Sequence, residues 1–234
     1  MKNQYFGDVN DYRKYGLLRI LLDGEQFRIG VCWMLTINDG LTDGRFISYL
    51  NEPEKWRSYD TPLFDLLHKL VILDGTRDVK LIQNEQILPR TKFYDELLTD
   101  AIGQRQIYFE QVRRQLFDID LIFFDPDNGI ETKSTLKGSK NSSKYIYWDE
   151  LSEIFASGCS ILVYQHFRRE ERTAFIKRMV SEYQSRLGTA EVYYFRTLQV
   201  VYFLVAQPQH VEHIRASILQ VAEVWGISNQ IMAG

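Results

Sequence analysis

The 234 residues are 45% hydrophobic, enough for one large α/β domain with a buried core. A formal net charge of −3 excludes the global basic field that holds long nucleic acids, while leaving room for a local basic patch. Cys32 and Cys159 sit in apolar runs and read as buried reduced thiols, and no His/Cys cluster has zinc spacing.

The opening stretch from Met1 to Gly16 is polar and lacks an apolar signal core, and no apolar run approaches a membrane span. The expectation is a cytoplasmic protein with no membrane partner. Asn10 or Asp11 is placed to cap a helix from Tyr12 to Leu22, with Tyr12, Tyr15, Leu18, Leu21 and Leu22 on one face. Asp23 and Gly24 end it. Ile29 to Leu35 reads as a first buried strand. A polar loop follows, containing Asn38, Asp39, Gly40, Asp43 and Gly44. Pro62 suits a first helical turn, and Leu63, Phe64, Leu66, Leu67, Leu70 and Val71 continue at helical spacing. Val79 to Ile82 is expected to be a short strand, and residues 91 to 117 one or two helices.

Ile119 to Phe124 reads as a buried strand that breaks into Asp125, Pro126, Asp127, Asn128 and Gly129. A strand ending this way projects polar groups into the crevice where α/β proteins bind ligands. Ser134 to Ser143 is a Lys/Ser/Gly-rich loop, expected to be the most mobile part of the chain. A helix (Trp148–Phe155), a strand (Ser160–Tyr164) and a long charged helix (Arg168–Leu187) come next. The chain closes with two strands (Ala190–Phe195, Val200–Ala206) and a last helix (His210–Trp225). No repeat or linker divides it. The alternation implies one α/β domain, a three-layer Rossmann-like sheet, mostly parallel. The short connection Arg196–Gln199 cannot serve as a parallel crossover, so the closing pair must be an antiparallel hairpin. Such an ending marks the methyltransferase type of this fold.

Two segments carry a family resemblance. The run Phe6-Gly7-Asp8-Val9-Asn10-Asp11-Tyr12-Arg13-Lys14-Tyr15 resembles the N-terminal segment Gly-Asn-Phe-Ala-Asp-Val-Leu-Lys-His of bacterial ribosomal-RNA adenine-N6 methyltransferases, matching at Asp11, Lys14 and, less well, Tyr15. Asp125-Pro126-Asp127-Asn128 sits where amino-methyltransferases carry Asp/Asn-Pro-Pro-Tyr/Phe. The chain also looks like an uncharacterised bacterial family with an Asp-Pro-Asp-Asn-Gly core. The resemblance implies methyl transfer from S-adenosylmethionine to an amine of a nucleic acid or nucleotide. Asp125 would accept one hydrogen bond from the amine and the Pro126 carbonyl a second. Lys14 and Tyr15 would reach the cofactor, because residues 1–23 form a helical segment over the pocket. The chain departs from the pattern at Asp127 (for proline), at Asn128 (for the ring that stacks on the base), and in lacking Gly-x-Gly after its first strand. Asn38, Asp39 and Gly40 stand in for that cofactor loop, and Tyr145, Tyr147, Trp148 or Phe167 for the ring.

Other readings of the same residues remain open. Asp125 and Asp127, side by side, would suit Mg²⁺ in a phosphoesterase or nuclease, with Glu131 and His166 in support. His166, ending the next strand, is a candidate acid/base beside Asp125. Lys133 and Lys137, with Lys140 and Lys144, suit phosphate contacts, as does Arg168. A degenerate methyltransferase fold serving as a binding module is a further alternative.

Overall fold

Three buried strands form the middle of the sheet in the computed structural model, which describes residues 1–24, 26–40, 44, 46–188 and 191–225. They are β1 (Ile29–Cys32), β3 (Leu121–Phe124) and β6 (Ser160–His166). With β2 (Thr91–Tyr94), β7 (Glu191–Arg196) and β8 (Val200–Ala206) they make a six-stranded sheet of order β2-β1-β3-β6-β8-β7. The first four strands in that order run parallel, and β8 enters antiparallel to both β6 and β7. Two short strands, β4 (Gly129–Ile130) and β5 (Tyr145–Ile146), pair with each other outside it.

Helices cover both faces because the central strands are buried on both. One face packs Val31, Phe123, Leu162 and Leu204 against α1 (Val9–Leu21), α3 (Thr61–Leu67) and α8 (Val211–Trp225). The other packs Cys32, Ile122, Phe124 and Val163 against α5 (Ile102–Gln115), α6 (Trp148–Ala156) and α7 (Arg172–Leu187). Two short helices, α2 (Pro53–Trp56) and α4 (Lys80–Asn84), lie in the connections, and α3 widens into a π-helical stretch at His68–Leu73. The result is a mostly parallel α/β sheet between helical layers, consistent with a Rossmann-like fold. No helix among the described residues is long and apolar enough to cross a membrane.

Several elements differ from the sequence expectation. The cap of α1 is Asp8, whose carboxylate accepts from the backbone N–H groups of Asn10 and Asp11; Asp11 is turned elsewhere. Val79 and Ile82 are buried as one face of a helical turn at α4 rather than in a strand. Residues 91–94 are the edge strand β2, not helix. β1 stops at Cys32 because Met34 takes a left-handed φ of 46°. α7 starts at Arg172, where Glu171 caps Thr173 and Ala174. The 134–143 loop is tied down: Asp100 accepts from the backbone N–H groups of Asn141 and Ser143, and Lys137 pairs with Asp149. Asp43 and Ala190 lie outside the described residues.

Candidate functional site

The C-terminal rim of the parallel strands gathers the chemistry. β1 and β3 are adjacent and parallel, so the stretch after Cys32 and the stretch after Phe124 leave the sheet side by side. The N–H of Asp125 bonds back to the Cys32 carbonyl at 3.1 Å, fixing the start of the acidic turn. Because β8 runs the other way, the turn before it brings Gln199 to the same rim.

At the floor of the rim, Lys14 places its ammonium 2.5 Å from Asp125 Oδ2 and 2.6 Å from Asp11 Oδ1. All three side chains are 2–3% exposed. The rings of Tyr164, Tyr15, Trp33 and Phe123 surround the ammonium at 5.4–6.0 Å from their centroids. Burial favours a neutral amine, but Asp11 and Asp125 outweigh it and raise the Lys14 pKa. Burial raises the Asp125 pKa above the carboxylate norm, with Lys14 opposing. The second oxygen of Asp11 accepts from the Gly7 N–H and the Tyr15 hydroxyl.

Asp127 has separate partners. Its Oδ1 lies 2.8 Å from the Met1 ammonium, and its Oδ2 accepts from Thr36 Oγ1 at 2.8 Å and faces Lys2 at 3.8 Å. Burial works to raise its pKa, yet the Met1 ammonium, Thr36 and Lys2 together hold it below the usual carboxylate value. The two carboxylates therefore do not converge on one point. The strand ends at Phe124, so the alternation expected to align them does not extend to Asp127. Asp39 pairs with Lys2 at 2.5 Å, and Gln4 bonds Asp39 and Asn38, so the first residues of the chain lie against the loop after β1.

Two joined spaces result. An inner pocket of about 30 Å³ is bounded by Asp8, Asp11, Lys14, Asp125, Pro126 and Tyr164, among others. An outer cavity of about 360 Å³ is walled by Lys2, Tyr5, Asp8, Asn10, Asp39, Gly44, Phe46, Asp127, Asn128, Lys144, Tyr164, His166 and Gln199. Asn128 is held at that wall by its backbone: its carbonyl accepts from Gln165 Nε2 and the His166 N–H. Gly129 is required behind it, since φ is +109° and a Cβ would lie 2.3 Å from the Gln165 side chain. His166 Nε2 is 3.2 Å from the Tyr164 hydroxyl.

The chain matches no protein-family model and no curated protein.

Of the residues singled out in the sequence, Asp11, Lys14, Asp39, Gly44, Asp125, Pro126, Asp127, Asn128, Lys144 and His166 do meet around these spaces. Others do not. Tyr15 is fully buried with its hydroxyl on Asp11. Asn38 and Gly40 border neither space and are exposed. Lys133 is exposed away from both, and Lys137 is engaged by Asp149 and Glu150. The carbonyl of Tyr145 anchors Arg105, and Arg168 donates to the Ile130 and Glu131 carbonyls, bracing β4. The proposed stacking rings pack elsewhere: Tyr147 under Lys137, Trp148 on Tyr183, Phe167 on Phe175. Glu131 accepts from the Trp148 N–H. The sequence reading missed Lys2, Tyr5, Asp8, Asn10, Thr36 and Phe46. Only Asp8 left a usable signal, an acid three residues before Asp11 at a helix start.

Asp8 makes the site pH-sensitive. Burial first, and Asp11 second, push its pKa up to about 7. The folded state then keeps a proton that the unfolded chain has already released. The stability from that proton is complete below about pH 4 and is lost as pH rises through about 7. Asparagine caps a helix as well as aspartate does. Asp8→Asn should therefore stabilise the protein at pH 8 by on the order of 2 kcal/mol and change little at pH 4, read from urea melts at the two pH values. An equal effect at both would remove the titration argument.

Proposed function

We propose that the protein is a methyltransferase that uses S-adenosylmethionine to methylate an amine of a nucleic acid or nucleotide. The observation that carries this reading is the 2.5 Å ion pair between Lys14 and Asp125. The two segments that resemble amino-methyltransferases, more than a hundred residues apart, meet there. They do so at the C-terminal rim of a mostly parallel sheet that closes with an antiparallel hairpin, which supports the reading.

The donor set fits the cofactor. Asp8, Asp39 and Asp127 line the cavity wall beside Lys2, and Tyr5 and Tyr164 add ring faces, a mixture of acidic, basic and aromatic groups that suits a zwitterionic ligand carrying a ring system. About 360 Å³ is within the usual range for a small-molecule site of roughly 300–1,000 Å³. Asp39 would hold hydroxyl groups, and Asp8 the charged end. S-adenosylmethionine supplies an electrophilic methyl when bound.

The chain's part is placement. Asp125, fixed through Oδ2 by Lys14, accepts one N–H of the acceptor amine, and the Pro126 carbonyl takes the second, so that the nitrogen lone pair faces the methyl. The raised pKa of Asp125 suits it to receive the proton the amine sheds as the new bond forms. The buried floor keeps water from competing. Asp127, where the family pattern has proline, serves a different purpose by joining residues 1–2 to Thr36.

S-adenosylhomocysteine, titrated in a thermal-shift assay, should raise the melting temperature, equivalent to about 2.7 kcal/mol at a hundredfold excess over Kd. Asp39→Ala should weaken that shift, read against the variant's own ligand-free melt, which should itself fall because Asp39 pairs with the buried Lys2 ammonium. A shift with Mg²⁺ or Mn²⁺ alone would move the assignment to a hydrolase, and no shift with any of them would end the reading.

A further inference from the structure

Three side chains of the outer cavity have no assigned part in the transfer chemistry. Asn10 is 7% exposed and borders both spaces, yet its Oδ1 has no hydrogen-bond partner among the described residues. A buried amide acceptor left without a partner costs roughly 1–3 kcal/mol, so a ligand donor is the natural complement. Phe46 is 58% exposed although it lines a cavity. Its backbone is not loose: the carbonyl accepts from the Val9 N–H, and Arg77 bonds the nearby Gly44 carbonyl together with that of Phe6. The backbone beneath this exposed ring is therefore fixed. Lys144 is the third. Its backbone is pinned by Asn128 and Asn141, and its ammonium forms no ion pair or hydrogen bond among the described residues, unlike Lys2 and Lys14.

We infer that Asn10, Phe46 and Lys144 form a nucleotide subsite of the outer cavity: the base stacks on Phe46, its edge is hydrogen-bonded by the Asn10 amide, and its phosphate pairs with Lys144. The combination is specific to that ligand class. A ring platform accepts any base face, an amide reads donor and acceptor atoms on a base edge, and a half-buried ammonium takes a phosphate. Phe46 supplies the stacking ring that Asn128 withholds from the acidic turn. The inference rests on the transferase reading above and deepens it by adding acceptor-selecting groups to the cavity whose carboxylates were assigned to the cofactor.

Fluorescence anisotropy with fluorescein-labelled single-stranded pentamers, RNA and DNA, each rich in one base, tests it on the full chain. Wild type should bind at least one pentamer. Phe46→Ala and Lys144→Gln should each weaken binding about tenfold, and Phe46→Trp should retain it. Lys144→Gln should also flatten the salt dependence. Asn10→Ala should narrow the difference between the preferred base and the others. Competition by a mononucleotide but not by its nucleoside places the phosphate on Lys144, provided the difference vanishes in Lys144→Gln. Phe46 is exposed and the Lys144 ammonium has no partner among the described residues, so these variants should keep the wild-type melting temperature. Pentamer binding unchanged in Phe46→Ala, or absent in wild type, overturns the subsite even where the cofactor binds. Pentamer binding without a cofactor shift keeps the subsite and removes the transferase.

Discussion

Replacing Lys14 by methionine should destabilise the protein by about 3–5 kcal/mol at pH 7, the cost of removing one partner of a fully buried charge pair. The mutation leaves Asp11 and Asp125 facing each other inside a cage of Tyr15, Trp33, Phe123 and Tyr164 with no cation between them. Methionine fills the aliphatic path of lysine, so the loss is electrostatic rather than a cavity. Lys14 is what opposes the upward push of burial on Asp125, so the penalty should shrink as Asp125 protonates, and urea melts at pH 5 should show a smaller gap from wild type than melts at pH 7. Adding Asp125→Asn should recover part of the stability but not methyl transfer. Arginine is not a substitute, since its planar fork does not fit where four rings close on a point charge. A loss below about 1 kcal/mol at pH 7 would mean that water reaches the cluster and that the buried-pair description is wrong.

That cluster shows what was and was not legible in the sequence. Asp125 could be located because a four-residue apolar run breaks into carboxylates, a pattern that a parallel strand ending at a ligand crevice produces locally. The antiparallel ending was equally local, since three residues between β7 and β8 admit only a hairpin. Lys14 could be chosen only through its family resemblance. Helical periodicity alone puts Tyr12, Tyr15 and Leu18 on the buried face and gives no reason to bury a lysine with them. Asp127 was misjudged because its partners, Lys2, Thr36 and Met1, come from distant segments with no pattern of their own. The edge strand β2 was lost for a related reason. Thr91, Lys92, Phe93 and Tyr94 bury only Tyr94 fully, so the strand's apolar signal is weak, and the longer helical run that follows it dominates the window. Val79 and Ile82 failed in the opposite direction: a short apolar run fits a strand and a helical turn alike, and only the packing decides.

Arg105→Met should be comparably costly, about 3–5 kcal/mol, and should reach the cavity as well. Arg105 is 2% exposed and lies against the rings of Phe109 and Tyr147. It clamps Glu150 with two bonds, 2.6 and 2.8 Å, and donates to the carbonyls of Ser142 and Tyr145 on either side of Lys144. Methionine keeps the packing but strands Glu150, which retains only Lys137 at 3.2 Å and the Tyr147 N–H. It also releases two backbone carbonyls that fix the approach to Lys144. Two consequences separate this variant from Lys14→Met. Amide exchange should quicken across residues 139–146 more than at the Asp125 turn, because the released carbonyls belong to that segment. Pentamer affinity should fall as in Lys144→Gln, while the response to S-adenosylhomocysteine persists at temperatures where the protein is folded. The double variant Arg105→Met/Glu150→Met removes both charges and should recover most of the stability without restoring the position of Lys144. Recovery of both together would show that packing around Tyr147, not the arginine's four hydrogen bonds, sets where Lys144 stands.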